Sequence, residues 1–341
     1  MRQIEKTYKK GVFRKLLIRL CRKLGYELID QADMSFVTSL DKKKASIAGN
    51  KSIVLPLGEV KIKRKIQSLD VIIKTCTSVN LVTQNKKRIF EHKKSEYTFR
   101  TIFSLIRSLK KAEEDFNNIN FKITVVDAGS SLEDIKKMKE ILLRSSIEFN
   151  LINLNLNDYL KRIKVIKKNN SQIEDNMKST MASIIKSFEI SKNVNDLVYF
   201  VEDDYIHNID SISEMLSVYE KFSTIHENEI FIVPIDYPYL YQKNNSSNIL
   251  IGQKYHWRSI KESLLTFLTS KKMIDKYYDD LIKMGEIEHD PYETILHNIY
   301  EKEKCYSPVP SLALHCTNVN SVFGLSPTID FKKLWKDNEV K

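Results

Sequence analysis

The stretch DLVYFVEDDYIHN occupies residues 196–208. Leu197, Val198, Tyr199, Phe200 and Val201 form an unbroken apolar run, and the run ends on three adjacent carboxylates, Glu202, Asp203 and Asp204. A short continuous run of aliphatic and aromatic residues is what a strand buried on both faces requires. Neighbouring like charges all ionise only at an electrostatic cost, unless a cation stands beside them. The residues therefore admit two readings. One is an acidic turn in solvent. The other is a strand end that offers oxygen ligands to a hard cation, Mg²⁺ or Mn²⁺, whose remaining positions are filled by phosphates and water.

Working outward, the segments on either side alternate. LDVIIKTC (69–76) reads as a strand and SEYTFRTIFSLIRSLKKA (95–112) as a helix with apolar Phe99, Ile102, Phe103, Leu105, Ile106 and Leu109. FKITVVDAGSS (121–131) is a buried-type strand and turn, LEDIKKMKEILLRS (132–145) a helix, EFNLINLN (148–155) a strand, and roughly 176–192 a helix. Beyond the acids, 212–222 reads as helix and EIFIVPIDY (229–237) as strand. The segment 238–258 is aromatic and polar, 261–285 reads as a helix with room for a short strand first, and 286–303 is an acid-led helix. PSLALHCTNVN (310–320) gives a short strand and loop. This alternation predicts an α/β fold with a mostly parallel central sheet and flanking helices. In such sheets ligands sit outside the carboxyl ends of the strands, where Thr75, Asp127 and the three acids fall.

Residues 1–24 form a basic amphipathic helix pattern. Phe13, Leu16, Leu17, Leu20 and Leu24 recur at helical spacing among nine Lys and Arg residues, and Gly25 fits the stop. Such a helix suits an anionic membrane surface, and equally suits packing on its own domain with a solvated basic face. Residues 26–66 are irregular. The expected division is a helix and linker over 1–66, a main domain over 67–325 and a tail over 326–341.

The chain has 341 residues and is 42% hydrophobic, enough to bury a core. Lys and Arg exceed Asp and Glu by 55 to 44, a balance compatible with nucleic acid, anionic lipid or a phosphate-bearing ligand. The basic residues do not interleave with aromatics in a nucleic-acid-binding module, so no nucleic-acid partner is expected. Four cysteines without a CxxC pair argue against a zinc ribbon and suit a reduced cytoplasmic protein, peripheral on the inner face of the membrane if the first helix docks there. No apolar run approaches the roughly 20 residues of a membrane span. The basic start lacks the apolar core and cleavage site of a signal peptide.

The order of LDVIIKTCTS (69–78), ITVVDAGSS (123–131), DNMKSTMASIIKSFEISKNVNDLVYFVEDDY (175–205) and EHDPYET (288–294) resembles that of GT-A glycosyltransferases, family 2-like and nucleotide-sugar dependent, over roughly residues 68–320. The resemblance implies a Rossmann-like nucleotide-diphospho-sugar transferase fold. It also implies a nucleoside-diphosphate sugar donor, Mn²⁺ or Mg²⁺, and a hydroxyl acceptor on a surface polysaccharide or lipid-linked glycan. Carried over, Thr75 contacts the base or ribose, Asp127 accepts a hydrogen bond from the base, Asn176 and Lys178 lie near the nucleotide, and Asp203 binds ribose. Asp204 ligates the metal, with His315 completing the site and Glu202 a third candidate, since Glu-Asp-Asp stands where Asp-x-Asp is usual. Asp290, preceding Pro291 as a helix cap would, is the first candidate for the catalytic base, and Glu293 the second. His256, Trp257 and Arg258 offer an aromatic face and a guanidinium for a sugar. A sugar nucleotidyltransferase would need a glycine-rich loop after the first strand, and TCTSVNLVTQN (75–85) has no glycine. A phosphohydrolase would need denser His and Asp clusters. The remaining alternative is a non-catalytic scaffold or binding protein of the same fold at the membrane surface.

Overall fold

A computed structural model describes residues 12–26, 52–55, 58–78, 90–166, 171–289, 291–316 and 329–340. The chain divides into two units, residues 1–45 with 54–58 and residues 46–53 with 59–341. The first contains α1 (Val12–Lys23), whose Phe13, Leu16 and Leu20 are exposed. Strands β1 (Ser52–Leu55) and β2 (Gly58–Lys61) follow it in the chain.

The second unit opens with β3 (Ser68–Thr75), α2 (Lys94–Asp115), β4 (Asn120–Asp127), α3 (Leu132–Leu143), β5 (Glu148–Asn153), α4 (Ser171–Ser191) and β6 (Leu197–Glu202). This is the predicted alternation, and its four strands pair in parallel in the order β5-β4-β3-β6. Register aligns their ends: Thr75 pairs with Asp127, Asp127 with Asn153, and Lys74 with Glu202. The chain continues through β7 (Tyr205–His207), α5 (Ser211–His226), β8 (Phe231–Ile232), β9 (Ile249–Ile251), β10 (His256–Ile260), β11 (Phe267–Ser270) and α6 (Lys271–Leu281). Last come α7 (Lys283–Glu286), α8 (Thr294–Tyr300), β12 (Cys305–Val309), β13 (Ala313–His315) and α9 (Phe331–Asp337). The nine-stranded sheet runs β5-β4-β3-β6-β11-β8-β12-β10-β9, and all strands but β10 and β11 point one way. The fold is thus the α/β architecture with a mostly parallel sheet that the sequence predicts.

Because side chains alternate across a strand, each sheet face has its own core. Val71, Ile73, Val125, Tyr199 and Val201 meet Ile102, Leu105 and Leu109 of α2 and Leu216 of α5. Ile72, Val126, Val198 and Phe200 meet Ile184, Ile185 and Phe188 of α4 and Ile274 of α6. Burial on both faces explains why β6 reads as a solid apolar run.

A small antiparallel ladder, β7 with β13, pairs Tyr205 with His315 just beyond the acids. Beside it, α9 docks on α2: the Trp335 indole stacks on Phe90 at 4.0 Å, and the Arg100 guanidinium lies 4.3 Å from its centroid. Arg107 donates to Asn338 at 3.0 Å. Both arginines therefore pack the C-terminal helix.

The structure bears out the short strand admitted at the start of 261–285 and corrects other boundaries. Within 261–285, the run Phe267–Ser270 is a strand inserted antiparallel beside β6, and α6 starts only after Ser270, whose Oγ accepts from the Met273 N–H. The supposed helix over 286–303 is confined to Thr294–Tyr300. The segment 238–258 holds β9 and the start of β10, while β12 was hidden by Pro308, a residue that usually demotes a strand reading.

Candidate active site

The carboxyl ends of β3 and β6 and the first turn of α2 converge on Asp203. Its Oδ2 accepts from the Cys76 backbone N–H at 3.2 Å and from Thr98 Oγ1 at 3.0 Å. Its Oδ1 lies 3.2 Å from Lys94 Nζ. Lys94 and Thr98 sit four residues apart, on one face of α2. Burial acts to lower the Lys94 pKa, but the Asp203 and Asp204 carboxylates outweigh it and raise it above the usual lysine value.

Asp204 turns elsewhere. Its Oδ2 is 3.5 Å from His315 Nε2, and its carbonyl accepts the Cys316 N–H at 2.8 Å. The imidazole of His315 is stacked on Tyr205, centroids 4.5 Å apart, with the Tyr237 ring edge-on at 6.4 Å. Its Nδ1 is buried without a hydrogen-bond partner. Burial opposes the charge on His315, yet Asp204 above all, then Glu202 and Glu293, hold its pKa above the ordinary histidine value. Glu202, third of the acids, lies 3.5 Å from Lys74 Nζ.

Glu293 stands at the N-cap position of α8, with no capping hydrogen bond from its side chain. Burial pushes its carboxyl up to about 7; the Glu202 charge adds to the rise, while its own backbone N–H, Lys74 and His315 oppose it. Asp290, the other candidate base, lies outside the described residues.

Between these elements lies a cavity of about 100 Å³ lined by Lys74, Thr75, Lys94, Ser183, Glu202 and Asp203 among others. Asn176 and Lys178 are half-buried, three residues and one residue before Ser179, where the α4 wall begins; Lys178 pairs with Asp175 at 3.8 Å. Thr75 and Asp127 are buried and face one another, Thr75 Oγ1 donating to Asp127 Oδ1 at 2.8 Å. Asp127 Oδ2 accepts from the N–H groups of Gly129 and Ser130. Gly129, at φ +118°, is the residue that allows this turn.

Within 256–258, Trp257 offers no open aromatic face to a sugar. Trp257 is fully buried and its Nε1 donates to Glu214 Oε1 at 3.1 Å, so its face is covered by core. Arg258 is held by Asp236 Oδ1 at 2.6 Å and stacked on Tyr241, its Cζ 4.0 Å from the centroid. His256 is exposed on β10.

Among the described residues no group of three His, Cys, Asp or Glu side chains is placed to hold a metal ion. A hard ion that keeps its waters and substrate phosphates needs only one or two protein ligands. Asp204 Oδ2 and His315 Nε2, 3.5 Å apart, are close enough to reach one ion through bonds of about 2.1 Å. They fit the group as a pair; Asp203, with both oxygens engaged, and Glu202, facing Lys74, do not extend it in this arrangement.

Lys74, Lys94 and Thr98 were missed from the sequence. A signal existed for the last two: a helix that follows the first strand's loop presents its first turn to the carboxyl edge of the sheet.

No family model matches the sequence, and no curated protein is significantly similar to it. Several solved structures are partly similar. An active-site mutant of LgtC aligns with TM-score 0.36 and 14% identity over 68% of this chain and 70% of that one. S. aureus TarS aligns with TM-score 0.34 and 13% identity over 62% and 49%. UDP-glucose pyrophosphorylase complexed with UDP-glucose aligns with TM-score 0.39 and 11% identity over 76% and 96%. Likenesses at this level decide nothing about this chain, whose fold rests on its own strand order and whose site rests on its own side chains.

Proposed function

We propose that the chain is a glycosyltransferase that moves a sugar from a nucleoside-diphosphate donor to a hydroxyl acceptor. The observation that carries this reading is the convergence of Asp203, Asp204, His315 and Glu293 at the carboxyl edge of a parallel sheet, beside a cavity with two lysines.

In this mechanism Asp203, fixed by Cys76, Thr98 and Lys94, orients the donor through its ribose. Asp204 and His315 would hold a divalent ion, which would supply positive charge to offset the negative charge developing on the departing diphosphate. Tyr205 keeps the His315 ring in place by stacking. Glu293 removes the acceptor hydroxyl's proton as that oxygen attacks the anomeric carbon; the bond from that carbon to the diphosphate breaks and its electron pair leaves with the diphosphate. A carboxyl near pKa 7 suits a general base at neutral pH. In this reading the acceptor is a surface polysaccharide or lipid-linked glycan, and α1, with Phe13, Leu16 and Leu20 exposed, would dock on the inner face of an anionic membrane.

Calorimetric titration with UDP, GDP and CDP, each with Mn²⁺ and with EDTA, tests the donor site on wild type and Asp204→Ala. Metal-dependent binding of one nucleotide, lost in the variant, supports the reading. Binding of none of them refutes it and leaves a non-catalytic scaffold.

A further inference from the structure

The two lysines of the cavity have a use that the acids beside them do not explain. Lys74 is the penultimate residue of β3 and Lys94 the first residue of α2, so two separate elements bring ammonium groups to one pocket. The opposite wall is α4, which contributes Ser179, Thr180 and Ser183 and no acid. Asp203 Oδ2 is held separately by the Cys76 N–H and the Thr98 hydroxyl, so the pair engages Lys94 through Oδ1 and leaves ammonium donors to spare. An ammonium has three N–H donors, and the contact with Asp203 Oδ1 accounts for one of them. Among the described residues, Lys74 has its ion pair with Glu202 at 3.5 Å.

We propose that Lys94 and Lys74 bind the diphosphate of the donor, each tethered by its carboxylate in the ligand-free chain and sharing its remaining donors with phosphate oxygens when the donor is bound. This rests on the nucleotide-sugar reading above and deepens it by assigning the phosphate contacts to two residues outside the acid cluster. The tether is functional: a lysine side chain carries rotamer freedom that must be lost on binding, and the carboxylate removes much of it beforehand. The contact is a point charge rather than a bidentate fork, so it selects for charge more than for shape.

The test separates phosphate binding from general damage to the site. The nucleoside diphosphate that wild type binds and its parent nucleoside, which lacks phosphates, are titrated in Mn²⁺ into wild type, Lys94→Met, Lys94→Arg and Lys74→Met. The expected result is an affinity loss of tenfold or more for the diphosphate in both methionine variants. Nucleoside affinity stays unchanged, and Lys94→Arg stays within about threefold of wild type because it restores the charge. Equal losses for diphosphate and nucleoside, or no loss for either, overturn the assignment. Should Lys94→Met fail to fold, Lys74→Met decides alone. A wild type that binds no nucleoside diphosphate fails the donor reading instead, a result distinct from wild-type binding that the variants leave intact.

Discussion

Replacing Glu293 by Gln is expected to make the protein more stable and less active at once, and the size of the gain follows from the site. Burial raises this carboxyl from 4.5 to about 7. A shift of roughly 2.5 units at about 1.4 kcal/mol per unit is a penalty of about 3 kcal/mol for holding the group ionised in the folded chain. The sign is fixed by proton linkage. Below pH 4.5 the carboxyl is protonated in both folded and unfolded chains. Between 4.5 and about 7 the unfolded chain releases its proton while the folded chain keeps it, so stability falls as pH rises, and above 7 the loss is complete. Gln carries no charge at any pH and escapes the loss. Urea unfolding in EDTA should show the variant and wild type alike near pH 4.5 and about 3 kcal/mol apart at pH 8. With a slope of about 3 kcal/mol per molar for a chain of this size, that is a midpoint shift of about 1 M. Transferase activity should fall by two or more orders of magnitude, the usual scale for losing a general base. Wild-type kcat/KM should climb with pH up to about 7. A stability difference independent of pH would refute the assignment of a raised carboxyl to Glu293.

Trp257→Phe should cost about 1.5–3 kcal/mol, the worth of a hydrogen bond to a charged group, because Glu214 loses its indole donor while keeping the N–H groups of Gln253 and Lys254. Its kcat/KM should be unchanged, and a raised KM for acceptor would restore the sugar-platform reading. Deleting residues 1–24 should abolish co-sedimentation with vesicles containing anionic lipid and leave nucleotide binding intact; undiminished sedimentation would remove α1 as the anchor.

What the sequence made legible was whatever period and burial control. β3, β4 and β6 announce themselves because both faces are covered, and α2 because one stripe is apolar. The acids at 202–204 stood out because a buried strand led into them. Phe267–Ser270 was legible only as an optional short strand ahead of a helix, because four residues carry too little periodicity to fix its bounds against the helix that follows. Trp257 was misread for a related reason. An aromatic between a His and an Arg looks like a binding motif in one dimension, whereas its environment, Glu214 on α5, lies 43 residues away in the chain. Lys74 and Lys94 were illegible as a pair, since 20 residues separate two lysines among many, and only the β3–α2 connection brings them to one cavity.

The three adjacent acids are tolerated because each is matched by a cation from a different element: Glu202 by Lys74 on β3, Asp203 by Lys94 on α2, and Asp204 by His315 on β13. The pairs are not equivalent. An imidazole left without its carboxylate relieves itself by releasing a proton at neutral pH. A buried ammonium has no such exit short of a large pKa shift, and breaking one side of a buried pair typically costs about 3–5 kcal/mol. Asp203→Asn should therefore destabilise the fold by several kcal/mol, through stranded Lys94, while Asp204→Asn should unfold near the wild-type midpoint and lose metal-dependent nucleotide binding. Urea midpoints of the two variants, measured side by side at pH 8, check the asymmetry. Equal losses would mean that His315 is locked in its charged form, and that Asp204 belongs to the structural ion pairs instead of to the site that receives the donor.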